Sequence, residues 1–138
     1  MSAPEFLDSN VFVYAYDESD PRKQAIAQKL VARGLRGEAV ASSQVLAEFA
    51  VTLLQKASPP ARSEVLLAIL NALGPIKLIS VDADTVRRAV EARATYGVHF
   101  YDGMIVAAAE RGGCKRIWSE DLNSGQQYFG IEVLNPFK

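Results

Sequence analysis

The stretch Pro4-Glu5-Phe6-Leu7-Asp8-Ser9-Asn10-Val11-Phe12-Val13-Tyr14 constrains the fold of this chain more than any other. It opens as a short apolar strand, and Asp8 then breaks the line directly after Phe6 and Leu7. Ser9 and Asn10 come next, and Val11, Phe12, Tyr14 and Ala15 are spaced for a helix. A buried strand that ends in a carboxylate and runs straight into a helix start puts that acid at the carboxyl edge of a sheet. In open α/β sheets that edge is where ligands bind. Three later acids, Glu48, Asp102 and Asp121, make most sense as partners of Asp8.

Downstream, strand and helix signals alternate. Asp20 as N-cap and Pro21 at the first helical position start a helix that runs through Ile26 and Leu30 towards Gly34. Ala39 to Ser42 reads as a short strand, and Ser43 is placed to cap a helix from about Gln44 to Lys56. In that helix Val45, Leu46, Phe49, Leu53 and Leu54 recur at helical spacing, opposite a polar stripe of Gln44, Glu48, Thr52 and Gln55. Ser58-Pro59-Pro60 ends it, and a second amphipathic helix through Val65, Leu66, Ile69, Leu70 and Leu73 completes a helical hairpin. Ile76 to Val81 reads as a strand, and Asp82 or Asp84 caps a helix that stops at Gly97. Asp102 opens a helix that is apolar nearly all round from Met104 to Ala109, which predicts a buried helix packed on a sheet. Arg116 to Trp118 and Ile131 to Leu134 are the last two strands. Such alternation predicts a three-layer α/β/α fold with a short central parallel sheet of four to five strands.

At 138 residues, about half of them apolar, residues 1–138 are expected to form a single domain whose core needs no covalent staple. The one cysteine, Cys114, excludes an internal disulfide and reads as a small buried thiol, which fits a reducing compartment. No signal-peptide pattern opens the chain and no apolar run is long enough to span a bilayer, so a cytoplasmic location is expected. A formal net charge of −1 gives no global footprint for nucleic acid. A polyanion would have to be held by metal ions or by a local basic patch. Arg22, Lys23, Lys29, Arg33 and Arg36 could line one flank of it and Lys115 and Arg116 another, with solvated helix faces as the alternative.

Taken singly, each acid has an ordinary reading. Asp8 and Asp102 suit helix caps, Glu48 a solvated helix face, and Asp121 a turn in Ser-Glu-Asp-Leu-Asn-Ser-Gly. Taken together they say more. Asp8 and Asp121 each come after a strand and Asp102 starts a buried helix, so parallel neighbours would bring all three to one sheet edge, with Glu48 arriving from the hairpin side. Carboxylates gathered in this way repel unless a cation neutralises them. Oxygen ligands without His or Cys suit Mg²⁺ or Mn²⁺, and the lone His99 cannot supply a zinc site.

Four segments, in order, resemble the motifs of PIN-domain ribonucleases. Phe6-Leu7-Asp8-Ser9-Asn10-Val11 is similar to the opening motif and Gln44-Val45-Leu46-Ala47-Glu48-Phe49 to the second. Tyr101-Asp102-Gly103-Met104-Ile105-Val106-Ala107-Ala108-Ala109 resembles the third, and Trp118-Ser119-Glu120-Asp121-Leu122-Asn123 the fourth. The size, the motif order and the ending Val133-Leu134-Asn135-Pro136-Phe137 resemble VapC-type toxins of toxin–antitoxin pairs. The resemblance implies that Asp8, Glu48, Asp102 and Asp121 are both catalytic and metal-binding, with Ser119 supporting the site and Asn10 beside Asp8. It implies a Mg²⁺- or Mn²⁺-dependent endoribonuclease that leaves a 5′-phosphate and a 3′-hydroxyl, a cognate antitoxin as partner and a homodimer. Asn123 stands where many relatives carry a further acid, which leaves one metal or two open. The alternatives are a catalytically inactive PIN-like binding module and a phosphoacceptor receiver domain. The receiver would carry a Lys after a late strand, where this chain has Ser119.

Overall fold

Phe6 and Leu7 are fully buried, and the strand they build, β1 (Glu5–Leu7), runs through the middle of the sheet in a computed structural model that describes residues 3–138. β1 pairs in parallel with β2 (Ala39–Ser42) on one side and β4 (Arg116–Trp118) on the other. β3 (Leu78–Ile79) adds beside β2 and β6 (Ile131–Leu134) beside β4, both parallel. These five parallel strands match the expected architecture. A sixth strand, β5 (Gln127–Tyr128), goes beyond it and lies antiparallel on β6 at the edge. Phe129 and Gly130 between them both have positive φ, 51° and 81°, the geometry of a tight hairpin turn. Phe at the first of those positions hides the usual Asn-Gly or Asp-Gly signal.

The strand order β3-β2-β1-β4-β6-β5 reverses direction between β1 and β4. The chain leaves β1 through α1 (Ser9–Ala15) and α2 (Pro21–Leu35) to reach β2, and returns from β3 through α5 (Ala83–Tyr96) and α6 (Phe100–Arg111) to reach β4. Right-handed crossovers in opposite directions put the two helix pairs on opposite faces. Between β2 and β3 the chain makes α3 (Ser43–Val51) and α4 (Ser63–Ala72). The expected helix over Gln44–Lys56 changes character at Thr52, where Thr52–Lys56 forms a π-helical turn. The Thr52 hydroxyl donates to the Glu48 carbonyl at 2.9 Å and so competes for the regular ladder. Among the described residues no helix is long and apolar enough to cross a membrane.

Two expected caps shift by one to three residues, and the choice between Asp82 and Asp84 is settled. Ser42, not Ser43, caps α3, its hydroxyl accepting from Val45 N–H at 3.2 Å, while Ser43 Oγ accepts from Val81 N–H. Asp82, not Asp84, caps α5 in a reciprocal box with Thr85. His99 caps α6, so Asp102 lies in its first turn. The strand expected over Ile76–Val81 is paired only at Leu78–Ile79. Cys114 is buried, and desolvation pushes its thiol up to about 11, which makes it inert as a nucleophile.

α6 is buried from Gly103 through Ala109, as its composition predicts. Gly103 lets α5 approach closely: a Cβ there would stand 2.8 Å from the Ala89 carbonyl oxygen and 3.3 Å from Ala89 Cα, both backbone atoms that cannot swing aside. Gly→Ala inside a helix ordinarily stabilises by roughly 1 kcal/mol. Here Gly103→Ala is expected to destabilise by about 1–3 kcal/mol through overpacking. Urea unfolding of the purified variant checks the sign. The same substitution pushes on the helical turn that carries Asp102.

Candidate active site

Asp8 ends β1 and Ser119 to Asp121 end β4, so both groups stand at the carboxyl edge where the strand order reverses. That crevice is the binding position of open α/β sheets. Asp8 is buried and caps α1, with Oδ1 accepting from Ser9 N–H at 2.7 Å. The capping and site readings of Asp8 are therefore compatible, because its second oxygen remains. Oδ2 accepts from the buried Ser119 hydroxyl at 2.7 Å. Ser119 Oγ in turn accepts from Asp121 N–H at 3.1 Å, from Leu122 N–H at 3.2 Å and, at 3.5 Å, from Asn10 Nδ2. With its lone pairs taken by these donors, the Ser119 hydrogen has one direction left, towards Asp8.

Asn10 ties the two chain ends together. Its Nδ2 donates to Asp121 Oδ2 at 3.1 Å, and its Oδ1 accepts from Glu120 N–H at 3.2 Å. On the other side of the crevice, Gln44 Nε2 donates to the Glu48 carboxylate at 3.4 Å and to the Tyr101 carbonyl at 3.1 Å, linking α3 to the first turn of α6 next to Asp102. Asp8, Asn10, Ser119 and Asp121 are thus joined on one side of the crevice, with Glu48 and Asp102 on the helices across from them.

The electrostatics carry the same message. Burial raises the Asp8 carboxyl to about 6 and outweighs the relief from Ser119 and Ser9, with smaller raising contributions from the charges of Asp121 and Asp102. Glu48 is pushed up to about 7, first by desolvation and then by the charges of Asp8, Asp102 and Asp121, although much of the residue is exposed. Asp102 is raised by desolvation and by Asp121, against a lowering from His99. Each of these three acids feels others of the group, and no Lys or Arg is among the groups that shift them. A hard divalent cation fits this donor set: the ligands are oxygens, their charge is uncompensated, and the Gln44 Oε1 beside them is buried without a hydrogen-bond partner. Among the described residues, no three or more of the acids are drawn together as a ready-made metal cage.

Two supports of the site carry no sequence signal. Gln44 reads only as part of a polar stripe, yet it bridges two helices. Glu120, between Ser119 and Asp121, turns away from the crevice, accepts from Tyr14 OH at 2.6 Å and pairs with Lys23 Nζ at 2.7 Å. Lys23, a candidate for phosphate contact, is therefore engaged in bracing this loop, and it also lies over the Tyr14 ring at 4.6 Å. Nothing local to either residue marks this pairing of a loop Glu with a Lys on α2.

A three-layer α/β domain with an acid-lined crevice at its switch point is the class that the fold and geometry define. Within it, the chain belongs to the PIN domain family, whose model matches residues 6–126. No curated protein sequence matches it. Among solved structures it is similar to a toxin–antitoxin complex from Klebsiella pneumoniae, at 18% identity and TM-score 0.70 over 97% of this chain and 98% of the other. It is similar to Mycobacterium tuberculosis VapC20, a sarcin–ricin loop cleaving toxin, at 19% identity and TM-score 0.70 over 93% and 98%. VapBC2 from Rickettsia felis, bound to a promoter DNA fragment, matches at 18% identity and TM-score 0.63 over 94% and 96%. At such identities these likenesses speak for the fold.

Proposed function

We propose that the chain, as one PIN domain over residues 1–138, is a Mg²⁺- or Mn²⁺-dependent endoribonuclease and the VapC-type toxin of a toxin–antitoxin pair. The observation that carries this reading is the set of raised carboxyls of Asp8, Glu48 and Asp102, desolvated at the switch point of a PIN fold and raised further by neighbouring acids, Asp121 among them. Those four acids would hold the ion. A bound divalent cation supplies an activated water and stabilises charge on the phosphate. The chain supplies the rest. Ser119 and Ser9 fix both oxygens of Asp8, Asn10 fixes Asp121, and Gln44 steers Glu48, so the carboxylates need little rearrangement as charge develops. No side-chain nucleophile is required.

Family and surface suggest the partners. VapC20 is described as a sarcin–ricin loop cleaving toxin and three similar structures as toxin–antitoxin, VapBC and FitAB complexes, which supports RNA as substrate and an antitoxin as partner. Val51, Leu54, Val65 and Leu67 are exposed on the hairpin of α3 and α4, a surface suited to a homodimer or an antitoxin segment. A cytoplasmic site of action belongs to the same reading. Asn123, which adds no charge to the acids, is the feature that favours one competing reading, an inactive PIN-like binding module.

Cleavage of RNA by metal-stripped protein, with Mn²⁺ or Mg²⁺ added back, separates the two. Activity is expected to appear only with the ion, at least about a hundredfold above the EDTA control. Undiminished cleavage in EDTA would sink the metal-dependent mechanism, and no cleavage of any RNA with either ion would favour the inactive module.

A further inference from the structure

Two basic segments that the sequence placed on separate flanks converge in the fold, at the end of the sheet opposite the acids. Arg33, from the end of α2, and Lys115 and Arg116, from the start of β4, line a cleft of about 940 Å³ together with Lys77, which precedes β3. Glu5, at the start of β1, lies three residues before Asp8, so cleft and acid crevice are separated by about 10 Å of strand. Glu5 is only 12% exposed and acts as the cleft's internal anchor. It pairs with Arg33 and, at 3.5 Å, with Arg116, which holds two guanidinium groups at the rim. Glu38, the other acid of the cleft, is taken by Arg36 at 2.8 Å. Lys77 and Lys115 have no carboxylate partner among the described residues and are exposed.

The cleft therefore carries four cations against two acids on a chain whose formal net charge is −1. No aromatic side chain lines it, so it offers nothing for a base to stack on. Its charged side chains outnumber the few polar groups that orient a ligand in a typical small-molecule pocket. We propose that this cleft is a second anion site that binds the sugar-phosphate backbone of a nucleic-acid strand, without reading its bases. Charges of this kind act by counterion release and are read by phosphate spacing, not by sequence. The site is independent of the acid crevice, since it needs no divalent ion.

A test that keeps it separate from the nuclease reading uses a labelled single-stranded RNA 20-mer with the full-length protein in EDTA, where cleavage is suppressed and the acids repel the strand. Fluorescence anisotropy at 50–200 mM salt reads the affinity, with salt chosen over this span because single-strand slopes are about −0.7 per phosphate contact. The wild type is expected to bind, with a slope corresponding to roughly two to four contacts. The double variant Lys77→Glu with Lys115→Glu should lose at least about tenfold in affinity and flatten the slope by about 1.4, with an unchanged melting temperature as the control for folding. A single-stranded DNA 20-mer of the same sequence should bind within a few-fold of the RNA. Equal affinity of wild type and double variant overturns the site. Competition by inorganic tripolyphosphate as strong, per molecule, as by the 20-mer overturns the strand and leaves a small polyphosphate as the ligand. Metal-dependent cleavage bears on neither outcome, so the two proposals fail separately.

Discussion

Asp8→Asn is expected to reduce metal-dependent RNA cleavage by about a thousandfold or more, because one substitution removes a ligand charge and alters the group that receives the Ser119 hydrogen. An amide offers one acceptor where the carboxylate offers two. Either Ser9 N–H or the Ser119 hydroxyl then faces an NH₂ group, and a buried hydrogen bond worth about 1 kcal/mol is lost. Relief of a buried, desolvated charge works in the other direction, so apo stability near neutral pH should stay level or rise. Asp102→Asn should be similarly inactive. Asp84→Asn is the control: Asp84 lies on the exposed first turn of α5, paired with Arg87 at 2.6 Å and remote from the crevice. Steady-state cleavage of a single RNA by the three variants checks the assignment. Parental activity in Asp102→Asn, or an Asp84→Asn as dead as Asp8→Asn, would mean that the site has been placed wrongly.

The apo protein is expected to lose stability as pH rises from about 4 to about 7, the reverse of ordinary carboxylate behaviour. Proton counts give the sign. Asp8 is raised from 3.8 to about 6 and Glu48 from 4.5 to about 7, so in that window the folded state binds more protons than the unfolded one. Stability is full below the unfolded values and is lost as pH climbs through the folded ones. For the buried Asp8 the effect is about 3 kcal/mol at most, or roughly 5–10 °C in melting temperature for a chain of this size. Glu48 is more exposed and water screens its share. Glu48→Gln should therefore raise the apo melting temperature at pH 8 by roughly 2 °C and leave pH 5 almost unchanged. Mg²⁺ should restore at pH 8 the stability that ionisation removes, and less so in the variant. Melting curves at pH 5 and pH 8, with and without the ion, decide it; an apo protein that is more stable at pH 8 than at pH 5 would mean that the acids are not strained.

Much of this is legible in the sequence because the decisive signals are local. Phe6-Leu7-Asp8 and Arg116-Ile117-Trp118-Ser119 each state a strand and the polar group at its end within a few residues, and the run after Asp102, apolar nearly all round and rich in Ala, has the composition of a buried helix. Parallel pairing of such segments then brings Asp8 and Asp121 to one sheet edge, while nothing local shows that Glu48 arrives from the hairpin side. The features that escape the sequence are non-local or depend on a single atom. Lys23 and Glu120 meet across 97 residues, and nothing near either one names the other. Lys77 reaches the cleft only because β3 pairs beside β2. Thr52 looks like an ordinary helix residue until its hydroxyl takes the Glu48 carbonyl. The Phe129-Gly130 turn uses a residue that rarely adopts its backbone angle, so β5 carries no sequence mark.

The placement of β1 between β2 and β4 has a consequence for how the protein is made. The bond from Ser119 to Asp8 closes a span of 111 residues, and β1 cannot be flanked on both sides until β4 exists. Chains grow from the N-terminus at about 5–20 residues per second, and contacts of such separation form last. While the C-terminal strands are still within the ribosome, Asp8 has no Ser119 or Asp121 beside it and the acids are not yet a cluster. Under the proposed nuclease reading, the nascent chain is expected to lack an assembled site, and any capacity to cut RNA is expected only close to the moment of release.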